Sequence, residues 1–286
     1  MEQQPSRPGQ RRVGVSTGVQ ARNGRGAVAR STRGIDYQDV PRPVAALCDE
    51  YASGFVDPRH SHRRAQLLYA TSGVASVTTD HASYVLPPQR ALWIPGGVAH
   101  EVSCRGQLSL RTLYVDERVR SDLPDSCRVF EVSDLLRELI LSAIRMPIEY
   151  DENGRDGRVM ALILDEIASA PSVPLQVAMP QDPRLLRICR AILEDPAHSD
   201  TLDDWARVAG MGRRTFTRMF RREAHMSFAT WRQHVRLMEA MSRLATGEPV
   251  TSVALDVGYN SPSAFTAMFR KAFGAAPTRY ISEQTT

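Results

Sequence analysis

Three patterns of hydrophobic and polar positions follow one another along the chain, and each predicts a different kind of element. From about residue 43 to 132, short β-prone runs alternate with Gly, Pro and Asp-His breaks; they are Ala65–Ala70, Ala75–Thr79, Ser83–Leu86, Ala91–Ile94, His100–Ser103 and Leu108–Val115. Several short strands at this spacing predict an all-β barrel or sandwich. At Ser133 the period changes to that of a helix. Ser133 can cap a helix carrying Leu135, Leu136, Leu139, Ile140 and Ile144, and Asp156 precedes a second with Val159, Met160, Ile163, Leu164 and Ile167. A loop around 151–154 joins them as a hairpin over 133–170. Such stripes are usually core, but a helix pair between domains has little else to cover it, so the hairpin is also the expected contact between two subunits. Residues 171–183 hold prolines at 171, 174, 180 and 183 and read as a stiff, extended linker.

Beyond the linker everything reads as helix, and an internal repeat appears. Ala206-Arg207-Val208-Ala209-Gly210 returns in pattern as Ala254-Leu255-Asp256-Val257-Gly258. After a short turn, Phe216, Thr217, Met219, Phe220 and Arg221 match Phe265, Thr266, Met268, Phe269 and Arg270, with one residue added in the second turn. Thr201 and Asp204 have capping-box spacing, and Gly210 and Gly258 stand where a helix must stop in a left-handed conformation. Ser261 suits an N-cap and Pro262 the first helical position. Helical spacing then buries Phe216, Met219 and Phe220 and exposes Arg213, Arg214, Thr217, Arg218, Arg221 and Arg222. In the second unit it leaves Ser263, Thr266, Ala267 and Arg270 outward beside Ser261. Arginine can bind guanine edges or clamp phosphates, and threonine can meet a thymine methyl, so both faces are candidates to enter a DNA major groove. Residues 228–246 read as one helix with Trp231, Val235, Leu237, Met238, Met241 and Leu244 inward, a rod that would set the distance between the units.

Charge supports this reading once it is divided along the chain. Residues 1–40 carry +4, residues 41–180 carry −4 and residues 181–286 carry +4, which sum to the net +4 of the whole. A polyanion would favour the two ends. Residues 1–40, rich in Gly and Arg without apolar period, are expected to be a disordered basic tail, either an arm that touches phosphates or sequence upstream of the true start. No apolar run approaches the length of a membrane span or a secretory signal, which suggests a cytoplasmic protein. Cys48, Cys104, Cys127 and Cys189 have no metal or redox spacing and read as packing thiols.

The residues from Leu202 to Tyr280 resemble the DNA-binding domain of the AraC/XylS transcription regulators, most closely in Gly258-Tyr259-Asn260-Ser261-Pro262 through Phe269-Arg270-Lys271-Ala272-Phe273-Gly274 to Pro277 and Tyr280. Gly212 stands where that family often has Ser, and His225 where the analogy with Gly274 asks for glycine. In the β-rich region, His60-Ser61-His62, Gln66 and Gly73, followed by Pro95-Gly96-Gly97-Val98-Ala99-His100, resemble the two halves of the cupin barrel motif. Gln66 replaces that motif's usual glutamate and Cys104 its closing asparagine. On an unbroken strand His60, His62 and Gln66 would share a face, and His100 would add a third imidazole, a set suited to a divalent transition metal or to lining an organic effector's pocket.

The resemblance thus implies a multidomain α and β chain: a cupin-like β-barrel sensor over 41–132, the helical hairpin, and a C-terminal all-α domain over 184–283 with two helix-turn-helix units. The function it implies is sequence-specific, ligand-responsive control of transcription by a homodimer on double-stranded DNA. The run Arg64–Ala70 with Trp93-Ile94-Pro95 is most similar to repressors of neighbouring transporter genes. A cupin enzyme is the rival class, against which stand the missing glutamate and the lack of a general acid or base beside the histidines. A constitutive architectural DNA binder is the other.

Overall fold

The computed structural model of the protein describes residues 31–279, apart from Pro174 and the side chain of Arg105; residues 1–30, most of the expected tail, lie outside it. The tail as read from composition runs too long. Residues Gly34–Tyr37 form a 3-10 turn, and the Tyr37 ring is fully buried against Tyr114. Arg64 fixes the following stretch by donating to the carbonyl oxygens of Gln38, Val40 and Arg42. A single aromatic and a partner arginine far along the chain therefore order a segment whose own composition could not.

Eight antiparallel strands build the sensor region: β1 (Val44–Tyr51), β2 (Val56–His60), β3 (Ala65–Thr79), β4 (Ala82–Leu86), β5 (Arg90–Ile94), β6 (His100–Val115), β7 (Arg128–Glu131) and β8 (Gln176–Ala178). The runs expected as separate strands are joined, because β3 spans 15 residues and β6 spans 16. Irregular register near Gly73 bends β3 as it crosses β6, and Gly73 and Gly106 both take positive φ there. A Cβ on Gly73 would lie 2.1 Å from the Gln107 carbonyl oxygen, so only glycine lets the two backbones cross. The first half of β3 pairs with β5 and the second with β4, while β6 carries β1 on one half and β2 on the other. Two layers thus share their long strands and roll together, with Leu68, Leu92 and Ile94 of one meeting Val77, Leu86 and Val102 of the other.

Helices α1 (Asp134–Ala143) and α2 (Arg155–Ser169) form the hairpin; Ser133 caps α1 by accepting from Leu136 N–H, whereas α2 starts one residue before Asp156, with Gly154 at its cap. The hairpin's apolar stripe has a use within the chain. Leu136, Ile140, Met160, Ile163 and Ile167 pack on the outer face of the sheet against Leu67, Tyr69, Trp93 and Leu113. Leu135, 49% exposed, and Leu162, 38% exposed, are left on the far side.

The stretch 171–183 is not a free linker. Between its prolines, Gln176–Ala178 keeps the N–H groups that proline lacks and pairs with β4 as an edge strand. Val177 and Met179 join the core of the helical domain, and the buried Trp231 indole donates to the Ala178 carbonyl oxygen at 2.7 Å. Among the described residues six helices follow: α3 (Pro183–Glu194), α4 (Leu202–Val208), α5 (Arg213–Ala224), α6 (Phe228–Ala245), α7 (Val250–Asp256) and α8 (Pro262–Phe273). Each anticipated inward residue of α6 is buried. Among the described residues, no helix is long and apolar enough to cross a membrane.

Candidate nucleic-acid interface and effector site

The two helix-turn-helix units are assembled from local signals. At α4, Thr201 and Asp204 exchange both bonds of a capping box, and Gly210 turns the chain at φ +66°. Gly212 opens α5 without a side-chain cap, and exposed His225 closes it in the left-handed region at φ +56°. In the second unit Gly258 turns at φ +84°, Ser261 accepts from Ala264 N–H, Pro262 takes the first turn, and Gly274 closes at φ +77°. Phe216 and Phe220, like Phe265 and Phe269, are fully buried.

The opposite faces are open. Arg213, Arg214, Thr217, Arg218 and Arg221 line one surface concavity, and Pro262, Ser263, Thr266, Ala267 and Arg270 line another. The anticipated residues differ in their freedom to meet DNA. Arg213 is paired with Asp203 at 2.8 Å and Arg222 with Glu223 at 3.2 Å. Arg214, Arg218, Arg221 and Arg270 are exposed and make no ion pair among the described residues. The Thr217 hydroxyl donates to the Arg213 carbonyl oxygen, and Ser261 is occupied as a cap, so Ser263, Thr266 and Ala267 remain as the short side chains of α8. Lys271 is exposed beside Arg270, to one side of the stripe that helical spacing singles out.

Within the sensor, three imidazoles converge. His60 ends β2, His100 begins β6, and His62 lies in the loop to β3 rather than on a strand, so the turn and not strand alternation brings it round. The nitrogens of the three lie within 4.8 Å of one another, and His60 Nε2 is 3.1 Å from His62 Nε2. His100 Nδ1 faces the Val98 carbonyl oxygen and His60 Nδ1 that of Pro58. Those acceptors assign the ring proton to Nδ1 and leave each Nε2 with a lone pair. His100 Nε2 is buried without a partner. Burial, then the neighbouring His60 and His100, pushes His62 down to about 4, and burial lowers His100, so both rings stay neutral near pH 7.

Gln66 is reached through Tyr114, whose hydroxyl accepts from Gln66 Nε2 at 3.4 Å and whose ring stands on His62; Gln66 Oε1 is a second buried atom without a partner. Over this group lies Gly34, where a Cβ would come 2.3 Å from the Tyr114 hydroxyl. The set suits a divalent ion. Two nitrogens held at about 2.0–2.1 Å on a tetrahedral metal stand about 3.3 Å apart, close to the His60–His62 separation, and carbonyl partners on the outer nitrogens are the usual support of metal-bound imidazoles.

A cleft of about 600 Å³ separates the sheet from α3 and α6, bordered by Arg59, Ser83, Glu101, Arg190, Glu239 and Ser242. Cys48, Cys104, Cys127 and Cys189 form no disulfide among the described residues.

A rolled β-sheet sensor joined to paired helix-turn-helix units defines a transcription regulator rather than an enzyme. Comparison with known proteins makes this specific. Residues 205–283 match the model of a helix-turn-helix domain and residues 46–165 that of the AraC-like ligand binding domain. The HTH-type transcriptional regulator NimR of Escherichia coli (strain K12) is 32% identical over 243 residues, 85% of this chain and 87% of that protein. RipA of Corynebacterium glutamicum is 27% identical over 126 residues, 44% of this chain and 36% of its own. Among solved structures, ToxT from Vibrio cholerae O395 covers 85% of this chain and 98% of its own at 12% identity and a TM-score of 0.37. The chain belongs to the AraC-type family of HTH transcriptional regulators.

Proposed function

We propose that this regulator reads two adjacent major-groove faces of its operator with α5 and α8, through Arg214, Arg218 and Arg221 in the first unit and Ser263, Thr266, Ala267 and Arg270 in the second. What carries the reading is that both faces are open while their opposite sides are core. Arg213 and Arg222 exchange their present carboxylate partners for phosphates, and Ser261 and Thr217 shape the helices that present the readers. Two copies join through the far side of the hairpin, around Leu135 and Leu162, and the dimer acts in the cytoplasm on a neighbouring transporter or metabolic gene.

The effector site is the imidazole group. His60, His62 and His100 hold a divalent transition metal, with Gln66 and Tyr114 behind them, and the ion or a small molecule bound to it is the signal. A metal there supplies a fixed positive charge that ties the β2–β3 loop to the start of β6. The support is the partnerless His100 Nε2 and the carbonyl oxygens behind two of the rings.

The test is a footprint on the intergenic DNA beside the regulator's own gene, with and without added zinc, iron, nickel and copper. Arg214→Ala, Arg218→Ala and Arg270→Ala each cost about 1–3 kcal/mol of operator affinity where the residue reads a base, and lower the salt slope by about one where it meets phosphate. Unchanged affinity in all three would remove the groove assignment. His100→Ala abolishes metal uptake measured on the purified protein; a wild-type protein that takes up none of the four ions removes the metal.

A further inference from the structure

The two reading units are joined by α6, whose 18 residues make a rod about 27 Å long. Its contact with the second unit is mostly apolar: Leu237, Met241 and Leu244 lie in one cluster with Val253, Val257, Phe265 and Phe269. From one protein to another, apolar helix packings of the same class differ by about 15–20° in crossing angle, so apolar surfaces alone do not dictate one angle. Over a lever of about 27 Å, a swing of about 15° moves the far unit by about 7 Å, twice the rise of about 3.4 Å per base pair. Packing alone would therefore let the two heads reach half-sites at several separations.

Two arginines of the rod add polar links to the second unit: Arg243 pairs with Asp256 at 3.1 Å and with Glu248 at 3.6 Å, while Arg236 reaches both units at once. Arg236 donates from Nε to the Pro196 carbonyl oxygen, in the loop that enters the first unit, and from Nη1 to the Gly258 carbonyl oxygen, in the turn of the second, both at 3.0 Å. Arg232, one turn earlier on the same rod, serves only the first unit, donating to His198 and Asp200 carbonyl oxygens. The two turns of the repeat also differ at this point. A Cβ on Gly210 would meet nothing within 4 Å, whereas one on Gly258 would lie 2.9 Å from Arg236 Nη2, 3.0 Å from its Cζ and 3.3 Å from Ala197 Cα. Glycine at 210 answers only its positive φ; at 258 it also makes room for the guanidinium between the units.

We propose that Arg236 is the positioning residue that sets the one separation of half-sites this regulator accepts, by locking the first unit's entry loop and the second unit's turn to a single guanidinium. This rests on the reading that both units meet DNA. A planar donor fork serving two fixed carbonyl oxygens resists rotation in a way that sliding apolar surfaces do not.

The full-length protein is used to select sites from random-sequence duplexes of about 40 base pairs, room for two boxes a helical turn apart with flanks. The wild type selects two boxes at one separation; Arg236→Met selects the same two boxes at separations spread by a base pair or more. On the selected duplex, inserting one base pair between the boxes weakens the wild type on the order of tenfold or more and Arg236→Met by less than about threefold, while affinity for a single box changes by less than about threefold. A purely structural arginine would instead lower the melting temperature and leave the spacing preference intact, and that result overturns the proposal. So does loss of both boxes by a variant whose circular dichroism and melting are those of the wild type.

Arg236→Lys and Gly258→Ala keep the test open if the methionine variant does not fold. The lysine can serve one carbonyl oxygen at a time and the new methyl displaces the guanidinium, so both widen the accepted spacing. A spacing as strict as that of the wild type in both overturns the proposal. A wild type that selects one box only overturns the two-headed reading itself, an outcome distinct from two boxes whose spacing ignores residue 236.

Discussion

Replacing Glu223 by alanine tests whether helix α5 is latched to the β-sheet domain. The Glu223 side chain is 16% exposed and stands near the end of α5. One of its oxygens accepts both Gln181 N–H at 3.0 Å and Asp182 N–H at 2.9 Å, in the stretch between β8 and α3. Gln181 in turn donates its side-chain amide to the Asp80 carbonyl oxygen at 2.8 Å, in the β3–β4 hairpin, and Asp80 pairs with Arg59, next to His60. A bond to a charged acceptor contributes about 1.5–3 kcal/mol. Gln181 is exposed, so water replaces its bond once Glu223 is gone; the part-buried Asp182 N–H is left short. The net cost is therefore close to one such bond, about 2 kcal/mol, or a fall of about 4–8 °C in melting temperature for a chain of this size. Differential scanning calorimetry reads the fall, and hydrogen exchange at the Gln181 and Asp182 amides reads its place. Glu223→Gln keeps an acceptor and loses the charge, so it falls between alanine and wild type. If Glu223→Ala melts within about 1 °C of the wild type and those two amides exchange no faster, the latch is absent and this stretch is held by the β8 pairing and the Trp231 bond without Glu223.

His225 closes α5 at φ +56°, where a side chain costs about 1–2 kcal/mol; His225→Gly relieves that strain against a glycine entropy cost of about 0.5–1 kcal/mol, for a net gain of about 0.5–1 kcal/mol in thermal unfolding. Asp182, which caps α3, is held down at about 2 by the Arg184 guanidinium and then by the Arg184 and Leu185 amides. The folded state binds fewer protons than the unfolded there, so the stability it contributes is present above pH about 4 and is lost as pH falls toward 2; Asp182→Asn is less stable at neutral pH and flatter across that window in acid titration followed by circular dichroism.

How much could be read in advance follows the range of the interactions. The capping box of Thr201 and Asp204, the Ser261-Pro262 helix start, the glycine turns at 210 and 258 and the inward face of α6 all depend on residues a few positions apart, and periodicity shows them directly. The exposed arginines of α5 follow from the same spacing. Histidines 60, 62 and 100 were legible as a group because the motif brackets them, although the alternation argument for His62 gave the wrong cause.

What only the tertiary structure decided involves partners far along the chain. Gly73 and Gly106 look like turns until β3 and β6 are seen to cross, and the prolines around Gln176–Ala178 look like a linker until β4 supplies an edge. The stripe of the hairpin pointed to another subunit because nothing in its own sequence names the sheet face that covers it. Tyr37, Arg236 and Glu223 carry no local signature at all, since the groups they bind come from other elements. Local chemistry chooses the elements and their faces, because the free energy of a cap or an amphipathic stripe depends on near neighbours. Strand pairing, burial and the bonds that join one domain to the other depend on which surfaces meet, and only the folded chain brings those together.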